Sequence, residues 1–192
     1  MSSRASQIII LCEDKLQEVF VRRFLKAWGV LNRNHKIRVL PYPKGKGSGS
    51  GFVVSKFPEE LTALRSRSAV TVLIVVIDAD DKTVEQRKKE LEKALKNAGM
   101  PKVADNECVC CVIPRWSIDT WLAYLQGKEV SEEKSYKNEL GFRVRNKESK
   151  SHPLIESLAR TCKKQDSLTN PPRSLMNACS QFEKIRNVLL GA

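Results

Sequence analysis

No stretch of this sequence is long and apolar enough to cross a bilayer. The longest apolar run, residues 70–77, has the length of a strand. The N-terminal residues lack the layout of a secretory signal, because the apolar run Ile8–Cys12 is too short for its hydrophobic region, so a cytoplasmic chain is expected. Histidine is scarce: His35 and His152 read as surface residues without partners, and no Ser-His-Asp arrangement suggests itself. Cys108 and Cys111 have zinc-like spacing, but no second Cys/His pair is nearby and the segment reads as a buried strand. The other cysteines are Cys12, Cys110, Cys162 and Cys179; a disulfide framework is not expected in an intracellular chain of this size. The glycine-rich stretch 44–51 is no P-loop, since Gly45 and Lys46 run into Gly47 rather than into Ser or Thr. No internal repeat and no ATPase motif is present.

Acidic residues are also in deficit. Twenty-two Asp and Glu face 34 Lys and Arg, a net charge of +12 over 192 residues. Such a field attracts phosphate polyanions, although an anionic membrane or an acidic protein would satisfy it too.

The apolar pattern alternates between strands and helices. Gln7–Cys12 is continuously apolar, as in a strand buried on both faces, and a helix with Leu16, Val19, Phe20, Phe24 and Leu25 on one side follows until Gly29. Lys36–Leu40 reads as a short strand, about Pro58 to Arg65 as a helix, and Thr71–Ile77 as the strongest strand. A charged helix, Val84–Ala98, leads to a strand over Cys108–Ile113 and a helix over Ile118–Leu125, with Trp121 in the core. Residues 126–151 are highly charged and predicted exposed and partly mobile; helices follow over Leu154–Cys162 and from a Ser174 cap to Leu190. This order predicts an α/β fold, a Rossmann-like open and mainly parallel sheet flanked by helices, over residues 1–125. A basic, mostly helical C-terminal extension, 126–192, is expected to pack on it.

In open parallel sheets, chemistry gathers where strand C-termini meet loops. The first predicted strand ends in Glu13 and Asp14, and the third in Asp78, Asp80 and Asp81. If those strands are neighbours the carboxylates crowd together, and a hard cation such as Mg²⁺ relieves their repulsion. The competing role is capping of the next helix, which weighs most for Asp81. Arg115, at another strand end, could neutralise a phosphate oxygen, and Trp116 could stack a base. Lys44, Lys46 and Lys56 flank the glycine-rich loop and could track a nucleic-acid backbone.

The run from Ile8 to Glu13, the following helix rich in Phe and Arg, and the strand ending in Asp78 and Asp80 resemble the Toprim domain. That domain is shared by topoisomerases, bacterial primases, small ribonucleases and the overcoming-lysogenization-defect nucleases. The segment Ile113–Leu122, with Asp119 where the motif carries Glu, is similar to stand-alone Toprim-like proteins of bacterial genomes and defence loci. So is the stretch from Pro172 to Phe182. The resemblance implies Mg²⁺ or Mn²⁺ held by Glu13, Asp78 and Asp80, with Asp119 assisting, and metal-dependent cleavage of DNA or RNA in an anti-phage role. It also implies nucleic acid as partner, with room for a separate ATPase subunit and a homo-oligomer, and no membrane. Two positions depart from the pattern: Asp14 replaces the usual Gly, and Asp119 is shorter than the usual Glu. Those departures, with the basic stretch around Arg143 to Lys150, motivate a competing reading: a degenerate module that binds nucleic acid or a partner ATPase. A phosphotransfer receiver would need its acids closer together in sequence and a Lys after its last strand. A haloacid-dehalogenase-like phosphatase would carry its Asp-x-Asp after the first strand.

Overall fold

A computed structural model describes residues 4–30, 34–43, 49–141, 146–162 and 168–191. Four strands, β1 (Gln7–Leu11), β2 (Lys36–Val39), β3 (Thr71–Val76) and β4 (Val109–Val112), form one parallel sheet in the order β2-β1-β3-β4. Among the described residues six helices accompany it: α1 (Lys15–Ala27), α2 (Gly49–Ser66), α3 (Val84–Asn97), α4 (Ile118–Leu125), α5 (Lys147–Thr161) and α6 (Arg173–Leu190). The expected α/β architecture with helices on both faces is present. No described helix is long and apolar enough to cross a membrane.

Strand alternation builds two cores. Ile8, Ile10, Val72, Ile74, Val76, Cys110 and Val112 point to one face and pack with α1, α4, α5 and α6. Ile9, Leu11, Leu73, Val75, Ile77 and Val109 point to the other and pack with α2 and α3. Both faces of β1 and β3 are therefore buried, which is why their sequences read as unbroken apolar runs. An aromatic group joins the extension to the sheet domain: Phe24 stacks on Phe182 of α6 at 4.0 Å between centroids, and Phe20 lies 5.5 Å from Trp121. Trp121 is fully buried, as expected, and donates its Nε1–H to Ser174 Oγ at 2.9 Å.

Several local expectations are corrected. Helix α2 begins at Gly49 and runs through Pro58, because buried Val53, Phe57 and Leu61 at i, i+4, i+8 spacing hold one continuous face. Helix α5 starts at Lys147, ahead of the expected Leu154. Ser174 does not cap α6; it is buried, bound to Trp121, and Pro172 holds the cap position. His35 is no surface residue: it is buried with Nε2 3.0 Å from the Leu189 carbonyl. Nor is 126–151 wholly exposed, since Tyr136 and Leu140 are buried and anchor it.

Cys162 and Cys179 form a disulfide, which the sequence did not lead one to expect; it ties α5 to α6 with Cα atoms 5.3 Å apart. Closing a loop of this length restricts the unfolded chain by roughly 3 kcal/mol in the loop-entropy picture. Reduction, or Cys162→Ser with Cys179→Ser, is expected to lower unfolding free energy by about 2–3 kcal/mol in urea titrations. Equal midpoints with and without reductant would count against a stabilising bond.

Candidate active site

The sheet winds from β1 out to β2 in one direction and through β3 to β4 in the other. The change of direction falls between β1 and β3, which pair in register from Gln7 with Thr71 to Leu11 with Val75. Ligands in such sheets bind beyond the strand C-termini at this switch point. Both acid-bearing strand ends lie there.

Glu13 and Asp78 meet directly: the Asp78 N–H donates to Glu13 Oε1 at 2.6 Å. Gly49, the first residue of α2, approaches so closely that a Cβ there would lie 2.7 Å from Glu13 Cβ and 3.0 Å from Oε2. Glu13 is thus enclosed by β3 and α2. Asp78 is buried, and its Oδ1 has no hydrogen-bond partner among the described residues. Asp80 adopts a left-handed conformation, φ 52°, which turns its carboxylate toward Arg87 Nη2 at 3.7 Å and Lys137 Nζ at 3.3 Å. Its amide donates to the Trp116 carbonyl at 3.1 Å, so the loop after β4 braces the loop after β3.

Burial raises the Glu13 carboxyl to about 7; the Asp78 amide opposes the shift, and Asp80 adds to it. Burial likewise raises Asp78 well above the usual carboxylate range, and Glu13 and Asp14 reinforce it. Burial works against the Lys137 ammonium, but Asp80 and Asp78 outweigh it and raise its pKa. Burial, more than neighbouring charge, thus favours the neutral form of both Glu13 and Asp78.

Stability should follow pH accordingly. Between the ordinary value of 4.5 and about 7, the folded protein keeps a proton on Glu13 that the unfolded chain has lost. Stability thus falls as pH rises through this window. The expected loss is roughly 1–2 kcal/mol after discounting for solvent screening. His152, depressed by burial and by Arg23, acts with the opposite sign below its ordinary 6.5. Comparison with Glu13→Gln cancels that contribution: metal-free thermal unfolding should show a flatter pH dependence in the variant. Parallel profiles would show that Glu13 does not hold the proton.

The neighbouring acids divide by role. Asp14 caps α1, its Oδ1 accepting from Gln17 N at 2.9 Å, so the departure from Gly serves the helix. Asp81 is exposed and does not cap α3; Thr83 does, in a capping box with Gln86. Asp119 is buried in the first turn of α4, accepts from Ser117 Oγ at 3.1 Å and ion-pairs with Lys147. It faces Asp78 across a cleft of about 460 Å³ that Gln17, Lys137 and Lys147 also line. The structure thus brings Glu13, Asp78, Asp80 and Asp119 to one rim.

The basic candidates fare differently. Arg115 donates to the Asp80 carbonyl and lies over the Trp116 ring at 4.6 Å, so it braces the loop. Lys56 sits two turns along α2 in an ion pair with Glu59, 2.8 Å. Lys44, Lys46 and Arg143 lie outside the described residues. Sequence reasoning missed Arg87, which is buried and donates to the Asp78 and Ala79 carbonyls at 2.9 and 3.4 Å. It is one of many charged residues on α3, so nothing in the pattern marks it. Gln17 was also missed: its Oε1 accepts from Glu13 N at 2.8 Å, while the buried Nε2 has no hydrogen-bond partner. Its position four residues after Glu13 was the available signal.

Among the described residues, no three His, Cys, Asp or Glu side chains stand in metal-ligating geometry. The donor set nonetheless suits a hard cation: carboxylate oxygens only, an unpartnered buried Asp78 Oδ1, and acids displaced upward in pKa. No family model, curated protein or solved structure matches the chain. Fold and site together define an α/β protein with a parallel four-stranded sheet and an acidic cluster at its switch point.

Proposed function

We propose that this chain is a metal-dependent nuclease that cleaves DNA or RNA phosphodiesters, with the acid cluster as its active site. The observation that carries the reading is the meeting of Glu13 and Asp78 from adjacent strand ends around the unpartnered Asp78 oxygen, in a chain of net charge +12. Glu13, Asp78 and Asp80 would hold Mg²⁺ or Mn²⁺, and Asp119 would assist. A bound ion would supply Lewis-acid polarisation of a phosphate oxygen and acidify its water. The protein's own part is positional. Arg87 holds the Asp78–Ala79 carbonyls, Arg115 and the Trp116 carbonyl hold the Asp80 turn, and Gln17 holds the Glu13 amide. The acids are thereby fixed before substrate arrives. The Toprim likeness of these motifs supports the same reading, including service in phage defence beside a separate ATPase.

A second reading is favoured by one observation: Lys137 and Lys147 already pair with Asp80 and Asp119, as in a degenerate site retained for binding nucleic acid or a partner. The two readings separate in one experiment. Single- and double-stranded DNA and RNA are incubated with Mg²⁺, Mn²⁺ or EDTA. The nuclease reading expects cleavage with a metal and none in EDTA. Salt-sensitive binding without cleavage, and no heat of metal binding, would leave only the second reading.

A further inference from the structure

The cleft beside Asp78 carries an unusual pair of cations. Asp14, Asp78, Asp119 and Glu148 line it against two lysines, so its lining is acidic on balance. Both lysines come from the chain beyond α4 and reach back to the strand-end acids. Lys137 Nζ is 3.3 Å from Asp80 Oδ1, and Lys147 Nζ pairs with Asp119 Oδ1. Neither sits on a loose tail. Lys137 follows buried Tyr136, whose hydroxyl accepts from Ser131 N at 2.9 Å. Lys147 is the first residue of α5. A lysine there faces the positive end of the helix dipole, where an acid is favoured, so helix formation alone does not explain it. Asp119, buried across the cleft, offsets that cost. A residue that breaks a local rule and is compensated by a distant partner marks a position set by the site.

With both lysines in place, the buried Asp78 Oδ1 has no hydrogen-bond partner among the described residues. The lysines thus pair with Asp80 and Asp119 and leave that oxygen open. On the reading of the rim as a metal site, we propose that Lys137 and Lys147 are built-in counter-cations of the acid cluster, which a divalent ion must displace from Asp80 and Asp119. They set metal affinity.

Manganese binding to the full chain, measured by calorimetry at low salt, tests this. Lys137→Met removes a half-exposed charge and leaves the core untouched. It is expected to tighten Mn²⁺ binding about tenfold, the scale of one charge removed a few ångströms from a cation. Lys147→Gln keeps a donor for Asp119 and is expected to act in the same direction, with the double variant tightest. Lys137→Arg should restore wild-type affinity, and Lys102→Met, a control for net charge, should change nothing. Unchanged or weaker affinity in Lys137→Met overturns the proposal, as does equal tightening in Lys102→Met. The wild type decides the metal reading separately. If it binds Mn²⁺ and the variants match it, the lysines do not compete with metal and the metal site stands. If only the double variant binds, the lysines do compete with metal and the wild-type chain is not a metal enzyme. If neither binds, both are wrong.

Discussion

Asp78→Asn is expected to abolish metal-dependent cleavage, by about 10³-fold or more, while making the metal-free protein more stable. The substitution keeps the shape of the side chain and removes a charge that burial, Glu13 and Asp14 all disfavour. Without metal that charge opposes folding, and on the metal reading Asp78 Oδ1 would be a ligand oxygen. A gain of roughly 1–2 kcal/mol in unfolding free energy alongside lost turnover is the signature of a site whose strain belongs to function. Retained cleavage would remove Asp78 from the chemistry. Lost cleavage with lost stability would make its role structural.

Arg87→Met should have the largest effect on folding, a loss of about 3–5 kcal/mol. The guanidinium is 4% exposed, donates to the Asp78 and Ala79 carbonyls, pairs with Glu90 at 2.6 Å and lies 3.7 Å from Asp80. Removing it strands the Asp78 carbonyl, leaves the Ala79 carbonyl with the Lys82 amide alone, and leaves the acids with one cation fewer. Arg87→Lys should rescue little, because a single ammonium cannot reproduce the fork that spans both carbonyls and Glu90. Urea unfolding of the three proteins measures this. A midpoint for Arg87→Met within about 1 kcal/mol of wild type would show that the turn holds itself.

The strands and the inner acids were legible because burial on both faces leaves an unmistakable run of apolar residues, interrupted where the chain reaches the rim. Six such residues, Val72 to Ile77, before Asp78 located it without a structure. Periodicity did not reveal strand order, and the adjacency of β1 and β3 turns two separate acids into one cluster. The sequence also misled where packing overrode local preference. Pro58 lies inside α2 because Val53, Phe57 and Leu61 hold its face. Ser174 spends its hydroxyl on Trp121 rather than on a helix end. Lys137 and Lys147 lay in a stretch that read as solvated charge, since pairing across 57 residues, as for Lys137 and Asp80, leaves no trace in local composition. The Cys162–Cys179 bond was missed for a related reason, because compartment arguments spoke against it and no spacing rule spoke for it.

Diffraction from crystals soaked in Mn²⁺, with the anomalous signal used to find the ion, bears most directly on the acid cluster. The expected peak lies at coordination distance, about 2.1–2.2 Å, from Asp78 Oδ1, with the Asp80 carboxylate turned to the ion and Lys137 withdrawn. Saturating Mn²⁺ with no peak at the β1–β3 rim, and Lys137 still on Asp80, would contradict a metal-dependent site.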